Sequence, residues 1–134
     1  MKYSFEIHRR LPSLNDYIHK INRNRYAGNK FKQDIQESIC WEIKAQLKEL
    51  KIDKPIVLHI TWIEENKRRD VDNVYSAVKY IQDALVEMKV IQNDSARNVI
   101  DVKHKIEYAD KSKVIVELEL IEWCQDIVNG ITWE

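Results

Sequence analysis

The eight residues from Ile56 to Ile63 constrain the fold of this chain more than any other stretch. Ile56, Leu58, Ile60 and Trp62 alternate with Val57, His59, Thr61 and Ile63, and both sets are largely apolar. Successive side chains of a strand point to opposite faces, so this pattern predicts a central strand covered on both of them. Pro55 stands immediately before it and marks its start. Such a strand needs neighbours, and the flanking sequence offers them.

Tyr3, Phe5 and Ile7 alternate with Ser4, Glu6 and His8, the period of a half-buried strand. The run Leu11-Pro12-Ser13-Leu14-Asn15-Asp16 breaks that period, and the polar, basic residues up to Gly28 read as an irregular connection. Long ordered loops in small domains are often functional. From Asn29 to Leu50, Phe31, Ile35, Ile39, Ile43, Leu47 and Leu50 recur at helical spacing. A second helix is predicted from Asp72-Asn73 onward, with Val74, Val78, Ile81, Leu85 and Met88 as its buried stripe. Two strands follow: Ile100, Val102, Ile106 and Tyr108, then Val114, Val116, Leu118 and Leu120, separated by the turn Ala109-Asp110-Lys111-Ser112. They read as a β-hairpin with one wet face. The order β-α-β-α-β-β places the chain in the α+β class, a mixed sheet with two main helices packed on it. Residues 1–134 are expected to form one domain, of which 123–134 are a C-terminal tail carrying Trp123, Ile127, Val128, Ile131 and Trp133.

Composition narrows the functional classes. Apolar residues make up 44% of the chain and only two Gly and two Pro are present, which excludes a low-complexity or linker segment. Cys40 and Cys124 lie far apart in no CxxC or Cys/His cluster, and no secretory or membrane-spanning run is visible. The expectation is a cytoplasmic protein with free thiols and no membrane partner. Net charge is +0, yet residues 1–34 hold eight Lys/Arg against three acids, whereas residues 101–134 hold four against eight. That asymmetry allows one basic face for a nucleic acid.

Chemistry concentrates in Lys67-Arg68-Arg69-Asp70-Val71-Asp72-Asn73. In an extended segment Asp70 and Asp72 share a face, and two close carboxylates repel unless a cation intervenes. Carboxylate oxygens suit Mg²⁺ or Mn²⁺, and Asp94 becomes a third ligand if the helix returns it to this place. Lys67, Arg68 and Arg69 would then hold backbone phosphates over the ion. Taken singly, these residues have plainer readings: Asp72 as a helix N-cap, Asp94 as a turn residue, and the cations as a solvated loop. Asp72, Ser76, Lys79 and Asp83 form one helical stripe opposite the buried one, either a solvated face or a lysine set to stabilise transition-state charge. A haloacid-dehalogenase-type phosphatase also uses a DxD, but directly at a strand end; here Glu64 to Arg69 intervene.

The combination Arg68-Arg69-Asp70-Val71-Asp72-Asn73, Lys79, Asp83-Ala84-Leu85 and Asn93-Asp94, with Leu11-Pro12-Ser13-Leu14-Asn15-Asp16-Tyr17 near the start, closely resembles the RusA family of Holliday junction resolvases, carried largely by phages and prophages. The resemblance covers residues 3 to 120. It implies an α+β homodimer that binds four-way DNA junctions and nicks two strands symmetrically with Mg²⁺, in recombination and repair. It further implies that Asp70, Asp72 and Asp94 are metal-binding and catalytic, and that Lys79 is the catalytic lysine. Ser13, Leu14, Asn15, Asp16, Lys67, Arg68, Arg69 and Asn73 fall in the DNA-contacting segments. One departure is visible: the family's lysine lies about one helical turn nearer the second aspartate, where this chain has Ser76. A non-catalytic module that binds DNA structures, or a nuclease acting more broadly on flaps, are the alternatives.

Overall fold

The computed structural model describes residues 1–122. It is an α+β fold: a four-stranded mixed sheet with helices packed on one face. The strands are β1 (Lys2–Ile7), β2 (Ile56–Glu64), β3 (Val99–Tyr108) and β4 (Lys113–Leu120), in the spatial order β1-β4-β2-β3. The helices are α1 (Leu14–Arg23), α2 (Arg25–Leu47), α3 (Val71–Tyr75) and α4 (Val78–Glu87).

β2 is central, as its apolar pattern predicts, and among the described residues helices pack on only one of its faces. Ile56, Leu58, Ile60 and Trp62 are at most 1% exposed and join Phe5, Ile7, Val116 and Leu118 under α2 and α4. Ile35, Ile39 and Ile43 of α2 and Tyr80, Ile81, Ala84 and Leu85 of α4 complete that core. The expectation of cover on both faces is met only in part among the described residues: Val57 and Ile63 on the second face are buried, but no described helix packs there. On the other face His59 and Thr61 are half-buried, and cross-strand ion pairs line the surface: His59 with Glu119 at 2.8 Å, Lys113 with Glu6 at 2.8 Å and Lys2 with Glu117 at 3.6 Å.

The expected hairpin is also corrected. β3 and β4 do not pair with each other; β3 runs parallel to β2, and β4 runs antiparallel to both β2 and β1. β2 is the most apolar strand and buries its backbone on both edges, so both edges must be hydrogen-bonded. The turn at 109–112 crosses the C-terminal end of β2, where Ala109 N–H donates to the Glu64 carbonyl at 3.0 Å and Ser112 N–H to Glu65 Oε1 at 3.3 Å.

Residues 14–23 are a helix, not the irregular connection expected. Ser13 caps α1 by a reciprocal box: its hydroxyl accepts from Asp16 N–H at 3.1 Å, and Asp16 Oδ2 accepts from Ser13 N–H at 3.0 Å. α1 carries a short apolar stripe, Leu14, Tyr17, Ile18 and Ile21, at helical spacing; Leu14 and Tyr17 pack against the core, but none of its residues is fully buried. α2 accordingly begins at Arg25 rather than Asn29. The predicted second helix is interrupted near Ser76 and Ala77, and Asp70, not Asp72, stands at its N-cap. Residues 123–134, and with them Cys124 and the apolar tail, lie outside the described residues. Cys40 is a free, half-buried thiol, pushed up to about 12 by burial and by its hydrogen bond to Glu87. Among the described residues no helix is long and apolar enough to cross a membrane.

Candidate functional site

The C-terminal end of β2 is where the separate motifs of the sequence meet. β2 ends in Glu64, which is buried, and the loop that follows returns Arg69 onto it. The Arg69 guanidinium donates to Glu64 from Nε at 3.0 Å and from Nη2 at 2.8 and 2.9 Å, while Nη1 donates to the Leu11 carbonyl at 2.8 Å. Both side chains are nearly sealed from water, 13% and 9% exposed. A planar fork with fixed donors suits this arrangement and an ammonium does not. Arg69 therefore ties three segments together: the end of β2, the loop before Asp70, and the start of the Leu11–Tyr17 motif. Its donors are taken up inside the protein, and of the three adjacent cations only Lys67 and Arg68 are exposed. Lys67 lies 5.2 Å from the centre of the Tyr108 ring.

The Leu11–Tyr17 motif is clamped to α3 as well. Leu14 N–H donates to Ser76 Oγ at 3.1 Å, Asn15 Nδ2 to Asn73 Oδ1 at 2.9 Å, and the Tyr80 hydroxyl to the Ser13 carbonyl at 3.2 Å. The first of these satisfies an N–H that the start of α1 leaves without a helical partner. Leu11 and Ser13 are buried by this docking, while Asn15 and Asp16 face solvent. Ser76 thus holds the start of α1 against the end of α3.

Asp70 and Asp72 flank Val71 at the start of α3, and both are exposed. Asp70 makes no side-chain cap, and the ion pairs of the described residues include Asp83 and Asp94 but neither Asp70 nor Asp72. Asp94 is carried back along α4 by the loop that follows it. Lys79 Nζ lies 3.3 Å from Asp94 Oδ2 and 3.0 Å from Asp83 Oδ1. Its hydrogen bond to Asp83 is the largest cause of a raised lysine pKa, opposed by burial and reinforced by Asp94. Lys79 is therefore a firm cation. No three His, Cys, Asp or Glu side chains among the described residues close around one point as a metal would need. In kind, the donors match Mg²⁺: carboxylate oxygens open to water, with Asp70 and Asp72 unpaired and Asp94 neutralised by an ammonium.

Behind α3 lies a stack that the sequence did not disclose. The Tyr75 ring packs on His104 with centroids 4.2 Å apart, and His104 lies 6.0 Å from Trp62. Trp62 Nε1–H donates to His104 Nδ1 at 3.0 Å, which requires that nitrogen to be unprotonated, and burial lowers the histidine's pKa. Glu64 and the Tyr75–His104–Trp62 stack were missed as parts of the site. Buried acids at strand ends offer a faint signal for the first; nothing local marks the second. Comparison of the chain with protein-family models and with curated proteins finds no match.

Proposed function

We propose that this chain is a Mg²⁺-dependent endonuclease that acts on branched DNA, with the four-way junction as its substrate and a homodimer as its working form. One observation carries the reading: the Ser13–Asn15 segment is fastened to Asn73 and Ser76, so motifs about 60 residues apart in sequence share one exposed end of the sheet. Random surface charge gives no reason for that convergence. The resemblance to RusA resolvases names the same segments, and Asp70, Asp72, Lys79 and Asp94 all lie on or beside the helices that the convergence anchors.

In this reading Asp70, Asp72 and Asp94 would hold Mg²⁺, for which Mn²⁺ could substitute. The bound ion supplies Lewis-acid activation of water and charge neutralisation at the leaving oxygen. Lys79, kept cationic by Asp83, contributes electrostatic stabilisation rather than acting as a base. Asp94, which pairs with Lys79 at 3.3 Å, would have to give up that ammonium to serve as a ligand. Lys67 and Arg68 take backbone phosphates, and Asn15 and Asn73, each holding the other's side chain, present amide groups beside them. Arg69 positions rather than binds. Two protomers related by a two-fold axis would place one site at each of the two equivalent strands.

The test is cleavage of an end-labelled synthetic four-way junction with Mg²⁺ and with EDTA, beside linear duplex and flap substrates, together with sedimentation of the protein. The expected result is paired, symmetric nicks on the junction with metal alone, by a dimer. Asp70→Asn is expected to bind the junction and leave it uncut; a fully active Asp70→Asn protein refutes the assignment of the carboxylates. Equal cutting of flaps or duplex moves the reading to a broader nuclease, and binding without any cutting moves it to a non-catalytic module.

A further inference from the structure

The most one-sided charge in the sequence lies in α1 and the start of α2. Residues 17–33 contain Lys20, Arg23, Arg25, Lys30 and Lys32 and no acid, in a chain of net charge +0. They form the hairpin of α1 and α2, whose tip is one residue long. Asn24 ends α1, its N–H donating to the Lys20 carbonyl at 2.9 Å, and caps α2, its Oδ1 accepting from Ala27 N–H at 3.1 Å. Arg23 and Arg25 flank it. The two helices touch almost backbone to backbone: a Cβ on Gly28 would stand 2.6 Å from Ile21 Cα. The tip is thus a stiff projection.

Its cations differ in how far they are engaged. Lys30 lies 3.6 Å from Asp34 and Lys32 3.8 Å from Asp83, while Lys20 sits over the Phe31 ring at 5.1 Å. Arg23 and Arg25 are exposed and form no ion pair among the described residues. Beside them Tyr26 is 77% exposed, a large ring with no packing role to explain it. Two free guanidinium groups and an open aromatic face on a rigid turn match a ligand that offers phosphates and an unstacked base together.

We infer that the α1–α2 tip is a second nucleic-acid contact, in which Arg23 and Arg25 take backbone phosphates and Tyr26 stacks on a base left open at the branch. α1 has ten residues, so the tip stands about 15 Å along its axis from Asn15, the end fastened to α3. The inference rests on branched DNA being the substrate, and it gives the tip a part in selecting the branch rather than in hydrolysis. An acidic polypeptide would meet the charge but would leave Tyr26 without a flat partner.

The experiment uses the full chain and fluorescence anisotropy, in EDTA to suppress cutting, with a labelled four-way junction and a linear duplex of the same sequence. Wild type, Arg23→Gln/Arg25→Gln and Tyr26→Ala are titrated over a range of salt. Loss of two phosphate contacts should flatten the slope of log affinity against log salt by about 1.8. Tyr26→Ala should weaken junction binding by about 10-fold, within the range for one lost base stack, and leave duplex binding unchanged. Thermal unfolding should be unchanged in these surface variants. If wild type binds and cuts the junction but the variants keep its slope and affinity, the tip is not a contact and the proposed function stands. Wild type that binds no DNA overturns both. Wild type that binds polyglutamate as tightly as the junction overturns the inference in favour of an acidic protein partner.

Discussion

Replacing Arg69 by methionine separates an internal tie from a phosphate clamp. The substitution keeps much of the side chain's volume and removes three donors to Glu64 and one to the Leu11 carbonyl. Glu64 is 9% exposed at its side chain, so its charge would be left buried without a partner. Removing one member of such a pair costs about 3–5 kcal/mol, whereas exchanging both members for apolar residues is often neutral. For a chain of this size that corresponds to a fall in Tm of roughly 10–20 °C. Arg69→Lys should recover little of the loss, because an ammonium cannot span both carboxylate oxygens and the Leu11 carbonyl. Glu64→Leu/Arg69→Met should recover most of it. Urea unfolding followed by Trp fluorescence, run as a double-mutant cycle, gives the coupling directly. Single variants within about 0.5 kcal/mol of wild type, the usual span for surface changes, would refute the tie. Unchanged stability with weakened, less salt-dependent DNA binding would restore the clamp expected from the charge run.

Two further predictions test the packing around this end of the molecule. His104 accepts from Trp62 and is held neutral by burial, its folded pKa below the ordinary value. Between the two values the unfolded chain binds the extra proton, so this contribution is complete above about pH 6.5 and is lost as pH falls toward the lowered value. Urea midpoints from about pH 8 to about pH 5 should show His104→Phe, which keeps the stack on Tyr75, with a shallower acid loss than wild type; parallel curves would argue against the neutral acceptor. Gly28→Ala should destabilise the chain by about 1–3 kcal/mol, against the gain of about 1 kcal/mol usual for that exchange inside a helix, because the new methyl meets the Ile21 backbone at 2.6 Å. A more stable Gly28→Ala protein in thermal or urea unfolding would show that the two helices do not approach so closely.

Much of the fold is legible in the sequence because periodic patterns report burial directly. The alternation in β1, the doubly apolar β2, and the helical stripes through Ile35, Ile39 and Ile43 and through Val74, Ile81 and Leu85 all place apolar side chains where the core is. α1 is legible by the same logic, in the spacing of Leu14, Tyr17, Ile18 and Ile21 behind the Ser13–Asp16 capping box, but that stripe is short, set among polar and basic residues, and buries nothing fully. The candidate residues named from the sequence carried no sign of their engagements, and Glu64, Tyr75 and His104 were not among them. Among the described residues Asp70 and Asp72 form no ion pair, whereas Asp94 and Asp83 are gathered by Lys79.

Sequence by itself determined the α+β class, the central place of β2, the register of the main helices and the clustering of acids and cations after Glu64. Those follow from local period and composition, which are properties of neighbours along the chain. Tertiary structure alone decided that β4 inserts beside β1 and away from β3, that the described helices all pack on one face of the sheet, and that Arg69 turns inward to Glu64 and Leu11. Each of these depends on which distant groups can satisfy a buried edge, carbonyl or charge. That choice is made by the whole packed molecule, since a buried polar group must be paired wherever in the chain its partner lies.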